Sequence, residues 1–265
     1  MTPAGHRAGV EAWWAARDRR LRDPDGWLTL VGLHWLAAGD NRFGADASNE
    51  VVLAGDGVPA LAGRLRVEDG VARLLEPGQP PRELAPDTSG EPTMIDVGSL
   101  RMYVIQRGGR LGLRVRDHAS PALAAFDGMD HFPFDPSWRL LGRLQRAEPG
   151  ATLEIMDVTG IVSRQETPGR VAFERDGGTW HLDALPGDEG ELWLIFADET
   201  NGAETYGGGR FVYSEAVAAD GSVWIDFNVA YNPPCVFTPF ATCPLPPPQN
   251  RLALRISAGE RAWHP

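Results

Sequence analysis

The sequence predicts a mainly β fold: an N-terminal helix followed by two packed β halves, the first sandwich-like and the second barrel-like. Three observations predict it. Short apolar runs recur along most of the chain, separated by turns rich in Gly, Asp and Asn, which is the pattern of sandwiches and barrels. Only one segment, near the N-terminus, has a helical composition without an internal breaker. The 31 glycines and 22 prolines are spread through the chain rather than repeated, which marks many turns and not a disordered tract. The expected divisions are 1–26 for the helix, 27–120 for the first half and 137–265 for the second.

Residues 10–21, dominated by Ala, Trp and Arg, form the helix, and Asp23-Pro24-Asp25-Gly26 stops it. Residues 27–36 read as a strand buried on both faces, because Trp27, Val31, Leu33 and Trp35 alternate with Leu28, Leu30 and Leu36. Gly39-Asp40-Asn41 reads as a turn. Segments 64–67 and 71–75 form a hairpin around Asp69-Gly70, the strongest short hairpin signal. Segments 100–106 and 111–115 form another around Arg107-Gly108-Gly109-Arg110. Residues 118–136 lack periodicity but are rich in Phe and Pro, so they read as a packed connection. Strands follow at 139–146, 151–156, 161–165, 170–174, 179–185, 191–197, 210–217 and 222–228, with a last one at 252–257.

The formal net charge of −11 disfavours nucleic-acid backbones and anionic membranes as partners, since both need a positive surface. No apolar run approaches the length of a membrane span. The first twenty residues lack the apolar middle of a signal peptide, so the expectation is a soluble, cytoplasmic protein. The oligomeric state is open. Two cysteines cannot make a disulfide framework. A Cys235–Cys243 bridge is possible, but sequence separation says nothing of the geometry it needs.

Two segments stand out for chemistry. Residues 223–251, VWIDFNVAYNPPCVFTPFATCPLPPPQNR, open as a strand and end as a proline-rich wrap. In the strand, Val223, Ile225, Phe227 and Val229 share a core face, while Trp224, Asp226 and Asn228 share the other. Such a polar face is either solvated surface or the wall of a pocket. The prolines after Asn232 interrupt regular pairing, and the run from Pro244 to Pro248 favours a stiff extended segment. The second segment, residues 198–210 (DETNGAETYGGGR), carries Asp198, Glu199, Glu204, Tyr206 and Arg210 among its glycines. It is either a loop gathering acids and amides at one point or a mobile hairpin tip. Its acids do not follow calcium-loop spacing. Its glycines do not lead from a strand into a helix, as a dinucleotide cradle would.

Cys235 is the one candidate thiol nucleophile, with no histidine near it in sequence; a buried inert thiol is the alternative. Two cysteines with seven residues between them and no second pair do not match a zinc site. The histidines, His6, His34, His118, His131, His181 and His264, are scattered. Asp117-His118 and Asp130-His131 could orient an imidazole, although neighbours on an extended chain point apart. Neither a Gly-x-Ser-x-Gly elbow nor a Walker loop is present. The tryptophans at 13, 14, 27, 35 and 193 read as core. No metal is expected, and no residue demands a cofactor, flavin included; the cofactor is unknown.

With these residues laid out, the chain resembles the domain of unknown function 1684 family of bacterial and archaeal proteins. Three blocks carry the resemblance: WLTLVGLHWLAAGDNRFG from Trp27, DETNGAETYGGGRF from Asp198, and DFNVAYNPPCVFTPFATCPLPPPQNRLALRISAGE from Asp226. The resemblance covers nearly the whole chain and implies that the loop and the wrap belong together; it brings no reaction. A weaker likeness relates residues 39–117 to forkhead-associated domains. Phe43-Gly44 stands where their phosphate-reading Gly-Arg step would be, and no matching serine block is evident. The likeness therefore implies a sandwich and not phosphopeptide binding.

The functional expectation is a small-molecule pocket between the 198–210 loop and the 226–251 wrap, in a hydrolase of a small polar substrate. Asp226 or Glu204 would be the acid–base group and Cys235 a further catalytic candidate. Asn228 and Asn232 would orient substrate, and Arg210 would hold an anionic part. Asp198, Tyr206, Tyr231 and Asn250 complete the expected lining. A non-catalytic ligand-binding module and a purely structural β module are the alternatives.

Overall fold

A computed structural model describes residues 2–263; His264 lies outside them. The chain divides into two compact units. One holds Leu21–Phe126 with Thr238–Ala241, and the other holds the rest.

The first unit is a β sandwich with two sheets around one core. Strands β1 (Leu30–Trp35), β7 (Ile95–Val97), β8 (Leu100–Arg107) and β9 (Arg110–Asp117) make a sheet in the order β1-β9-β8-β7. Strands β2 (Gly39–Gly44), β3 (Val51–Val52), β4 (Gly63–Glu68), β5 (Val71–Leu75) and β6 (Arg82–Glu83) make the other, in the order β3-β2-β4-β5-β6. Phe43, Leu65 and Leu74 of one sheet share a buried cluster with Met102, Val104 and Leu113 of the other, the alternate-face packing that defines a sandwich. Both expected hairpins are present. Asp69 and Gly70 have φ of 53° and 74°, and Gly108 and Gly109 have 54° and 76°, the paired positive φ that a two-residue turn between twisted strands demands.

Two local expectations in this unit change. Trp27–Thr29 is a 3₁₀ turn, so the first strand begins at Leu30. Gly39-Asp40-Asn41 is the start of β2 rather than a turn. The reversal lies just before it: the Asn41 side chain bonds both the N–H and the C=O of Ala37 and closes that corner.

The second unit is barrel-like. Strands β10 (Arg139–Arg146), β13 (Gly169–Arg175), β14 (Gly178–Pro186), β15 (Leu192–Phe196), β16 (Arg210–Tyr213) and β17 (Ser222–Asp226) form one sheet in the order β16-β15-β14-β13-β10-β17, while β11 (Thr152–Met156) and β12 (Val162–Glu166) form a separate hairpin. The edges β16 and β17 also approach each other. Ser214 bridges Ile225, and Glu215 N–H donates to Trp224 O. The sheet thus curls back on itself, which removes exposed edges. Inside lie Phe173, Phe196, Val212, Ile225 and Phe227. The short helix α2 (Pro121–Ala125) belongs to the connection between the halves.

The expected last strand at 252–257 is not one. The segment is irregular, with bends at Ala253 and Leu254, and Leu252, Leu254 and Ile256 are buried in the barrel core. Its backbone groups are used elsewhere, however. Leu254 O accepts from Glu199 N–H, and Ile256 O accepts from the Arg210 guanidinium. A few backbone contacts from the end of β15 and the loop after it, together with one side chain, thus stand in for a neighbouring strand. Likewise β16 ends at Tyr213 and β17 at Asp226, short of the expected 217 and 228.

Candidate active site at the helix-covered barrel mouth

Helix α1 spans Pro3–Leu21. Its buried residues are His6, Val10, Arg17 and Leu21, with Trp13 and Trp14 half-buried. These recur every three or four residues, which is one helical face. Two of its members are basic, and each meets a carboxylate more than 200 positions away. His6 Nε2 lies 2.5 Å from Asp226 Oδ2, and Arg17 Nε donates to Glu260 Oε1 at 3.0 Å. Trp14 Nε1 donates to Asn228 O at 2.9 Å, and its ring stacks on His131. The helix is therefore held by directional bonds as well as apolar burial.

Asp226 sits where β17 gives way to a 3₁₀ turn, Phe227–Val229. It caps that turn: Oδ1 accepts from Asn228 N–H at 3.0 Å and from Asn228 Nδ2 at 2.8 Å. Asn228 is itself buried and exchanges two further bonds with the backbone of Asp135. The carboxylate is thus locked in orientation, with Oδ2 turned to His6.

Beside this pair lies a cavity of about 290 Å³, lined among others by His6, Trp13, Arg139, Glu191, Tyr213 and Tyr231. The side chain of Asp226 keeps 15% exposure into it. Arg139 lies flat on Trp224, 4.0 Å from the ring centre, and bonds Glu215 at 2.5 Å. Tyr213 and Tyr231 are near-parallel, 6.3 Å apart. Burial pushes both phenols above their ordinary pKa, so they stay protonated at neutral pH. Ser214 also lines the space, but its hydroxyl donates to Glu215 O and accepts from Leu192 N–H. It is occupied in joining strands and offers no nucleophile. An imidazole fixed by a locked carboxylate, at the wall of a part-apolar cavity, can accept and return a proton.

The 198–210 loop and the C-terminal wrap do lie together. Ala197 N–H donates to Asn250 O, Glu199 N–H to Leu254 O, and Ala262 N–H to Glu204 O. A side chain at Gly209, whose φ is +93°, would strike the Pro246 ring. The carboxylate at their meeting place is Asp198, not Asp226. Asp198 and Arg210 have no exposed side-chain area and meet at 2.5 Å. Asp198 Oδ1 accepts from Thr200 N–H and from the Thr200 hydroxyl. Arg210 also donates to the carbonyls of Ile256, Ala258 and Glu260. It pins the terminal segment to the barrel and presents no face to a cavity.

The other expected residues are distributed along the same wrap. Glu204 pairs with Arg255 at 2.5 Å. Tyr206 lines a separate cavity with Thr205, Val236 and Trp263. Cys235 is half-buried, and its N–H donates to Cys243 Sγ at 3.1 Å. Asn232 is buried and gives its N–H to Glu260 Oε2 and its Nδ2 to Arg261 O. Asn250 is buried, accepts from Asp183 N–H and donates to the carbonyls of Asp183 and Ile195. Of the expected set, only Asp226 and Tyr231 line the helix-covered cavity, with Asn228 buried behind Asp226 and bonded to it. Among the described residues, no group of three or more His, Cys, Asp or Glu side chains is placed to hold a metal ion, and no helix is long and apolar enough to cross a membrane.

Residues that the sequence reading passed over are His6, Trp13, Arg139, Glu191 and Tyr213. A signal existed for the first two. Extending the helix back to Pro3 puts His6, Val10, Trp13 and Arg17 on one stripe, and a His and an Arg among apolar positions of one face ask for buried partners. The others come from three different strand ends, and nothing local joins them.

Residues 124–261 match the family model described as protein of unknown function (DUF1684). The match spans half of the chain, and the chain belongs to that family. It includes Asp226 and Asn228 and leaves out helix α1. Among solved structures, an uncharacterized protein of Haloarcula marismortui, determined by solution NMR, is 29% identical over 52% of this chain and 78% of its own, with a TM-score of 0.44. No curated protein matches the chain.

Proposed function

We propose that this DUF1684 protein is a hydrolase of a small polar substrate, with the helix-covered cavity as its site. One observation carries the reading: His6 Nε2 and Asp226 Oδ2 are 2.5 Å apart at the wall of a cavity large enough for a small molecule. Asn228 holds Asp226, Asp226 holds the His6 ring, and the ring acts as general base. It takes a proton from a water molecule as the water oxygen bonds to the electrophilic carbon of the substrate. It then returns that proton to the departing oxygen or nitrogen. Atoms and charge balance with water as the sole co-reactant. General acid–base assistance of this kind contributes about 10²–10⁴-fold.

A non-catalytic ligand-binding role for the same cavity is the second reading. It is favoured by the aromatic lining of Trp13, Tyr213 and Tyr231, which suits binding whether or not chemistry follows. The experiment is a thermal-shift screen of small metabolites, followed by product analysis of every hit. For a substrate so found, H6Q and D226N should each lower kcat/KM by about 10²-fold or more while the compound still binds. Hits that are never turned over would establish the second reading. Turnover that is unchanged in D226N would remove the pair from the chemistry.

A further inference from the structure

The cavity also carries information on what it holds, and this step rests on the proposed site. Besides the phenols of Tyr213 and Tyr231, which stay neutral, five lining residues are ionisable: His6, Arg139, Glu191, Glu215 and Asp226. Arg139, the one permanent cation, is already paired with Glu215 at 2.5 Å and packed on Trp224. Asp226 is bonded to His6. Glu191, half-buried at the entry to β15, has no ion-pair partner among the described residues. With His6 neutral, as a general base must be, the unbalanced charge of the lining is negative and is carried by Asp226, engaged with His6, and by Glu191, which lacks a partner among the described residues. Tyr213 lines the same cavity; burial raises its pKa, with smaller upward contributions from the charges of Asp188 and Glu191.

The remaining wall is aromatic, formed by Trp13, Tyr213 and Tyr231. Two of these rings already accept a guanidinium: Arg17 lies 5.0 Å from the centre of Tyr231, and Arg20 lies 5.7 Å from that of Trp13. Tyr213 is the exception. The residue is 42% exposed, and its ring neighbours are the near-parallel rings of Trp193 and Tyr231 rather than a cation. An electron-rich ring with a free carboxylate beside it attracts an organic cation through both the ring quadrupole and the charge. An anionic substrate would meet Glu191 with Arg139 already taken, and the lining would repel it.

We propose that the site takes substrates bearing an ammonium group, held between the Glu191 carboxylate and the Tyr213 ring, with the bond to be cleaved directed towards His6. On this view Glu191 and Tyr213 set specificity, and His6 and Asp226 supply the chemistry.

The test compares choline with its neutral isostere 3,3-dimethylbutan-1-ol, titrated calorimetrically into the full chain. Choline should bind at least about tenfold more tightly, and its affinity should fall as salt is raised. E191Q and Y213L should each weaken choline and leave the isostere nearly unchanged. Both positions are partly exposed, and an unaltered melting temperature will show that the variants fold. Equal affinity for the two probes, unchanged choline binding in E191Q, or no binding of choline at all overturns the cation assignment. The site itself is judged separately by D226N on substrates from the unbiased screen, so either proposal can fail alone.

Discussion

Asp198 and Asp226 are built alike and placed differently. Each follows or ends a strand of the same sheet. Each uses Oδ1 to hold the residue two positions on, Thr200 in one case and Asn228 in the other. Each offers Oδ2 to one basic side chain at 2.5 Å. The partner of Asp198 is an arginine, sealed from solvent and engaged with three carbonyls of the terminal segment. The partner of Asp226 is a histidine on a helix, beside a cavity. A guanidinium cannot give up its proton under ordinary conditions, whereas an imidazole can. The same carboxylate geometry therefore serves as a rivet in one place and as a candidate acid–base device in the other. What separates the two is the partner and its access to solvent.

The strongest way to break this contrast is to remove the arginine. R210M keeps much of the side-chain length but leaves Asp198 charged, buried and unpaired, and it frees three carbonyls. Such a loss costs about 3–5 kcal/mol, or roughly 10 °C in melting temperature for a unit of this size. Chemical denaturation followed by tryptophan fluorescence would measure it. A change below about 1 kcal/mol would mean that the terminal segment is held by its backbone hydrogen bonds and the apolar burial of Leu252, Leu254 and Ile256, without need of the arginine.

Asn250 tests the same rivet without charge. Its side chain ties the end of the proline wrap to β14 and β15 through three hydrogen bonds. N250A should cost about 1–3 kcal/mol, because buried groups of Asp183 and Ile195 lose their partner. The effect should be smaller than that of R210M, since no ion is stranded.

The histidines sharpen the comparison through pH. His6 has a carboxylate, whereas His131 is stacked on Trp14 and its Nε2 is buried without a hydrogen bond. Burial depresses the pKa of His131, against a smaller upward pull from Asp18 and Asp130. The folded state then binds fewer protons than the unfolded chain just below pH 6.5. Its contribution to stability is full above about pH 6.5 and is lost as the pH falls through the folded value, with a slope of at most about 1.4 kcal/mol per pH unit. Denaturation midpoints between pH 7.5 and 5.5 should fall for the natural chain. They should fall less for H131F, which keeps a ring against Trp14.

Much of the architecture was legible because it is written locally. Strand β10 appears over the residues expected, and both hairpins turn at the Asp-Gly and Gly-Gly pairs. The wrap and the loop meet, as two irregular segments with many freed backbone groups must find partners. Two things were not legible. Residues 252–257 have strand composition, yet their bonds go to scattered partners: Leu252 N–H to Ala197 O, Leu254 O to Glu199 N–H and Ile256 O to the distant Arg210 guanidinium. The site was half legible: Asp226 and Asn228 share the polar face of β17 and its following turn, but the basic partner comes from a helix at the other end of the chain. Alternation reports which face a residue occupies and not what is brought to that face. Arg210 shows the same limit from the other side. A charged residue in a glycine-rich loop reads as exposed, and only the fold reveals that it is enclosed.

The smallest expected effect is the sharpest test of the contrast, because it uses one isosteric change at both carboxylates. In D226N, one amide oxygen can still accept from Asn228, and the new amide nitrogen can donate to a neutral His6 Nε2. The helix keeps its other bonds through Trp14 and Arg17. Stability should therefore change by no more than about 1 kcal/mol. In D198N the new amide nitrogen must either face the Arg210 donors or displace Thr200, and the guanidinium loses its counter-charge in a sealed site. That costs about 3–5 kcal/mol. The difference between the two midpoints measures how far the protein can vary one carboxylate without disturbing its frame. Similar losses at both positions would make Asp226 a second rivet, with α1 docked through it, and the cavity beside it a by-product of packing.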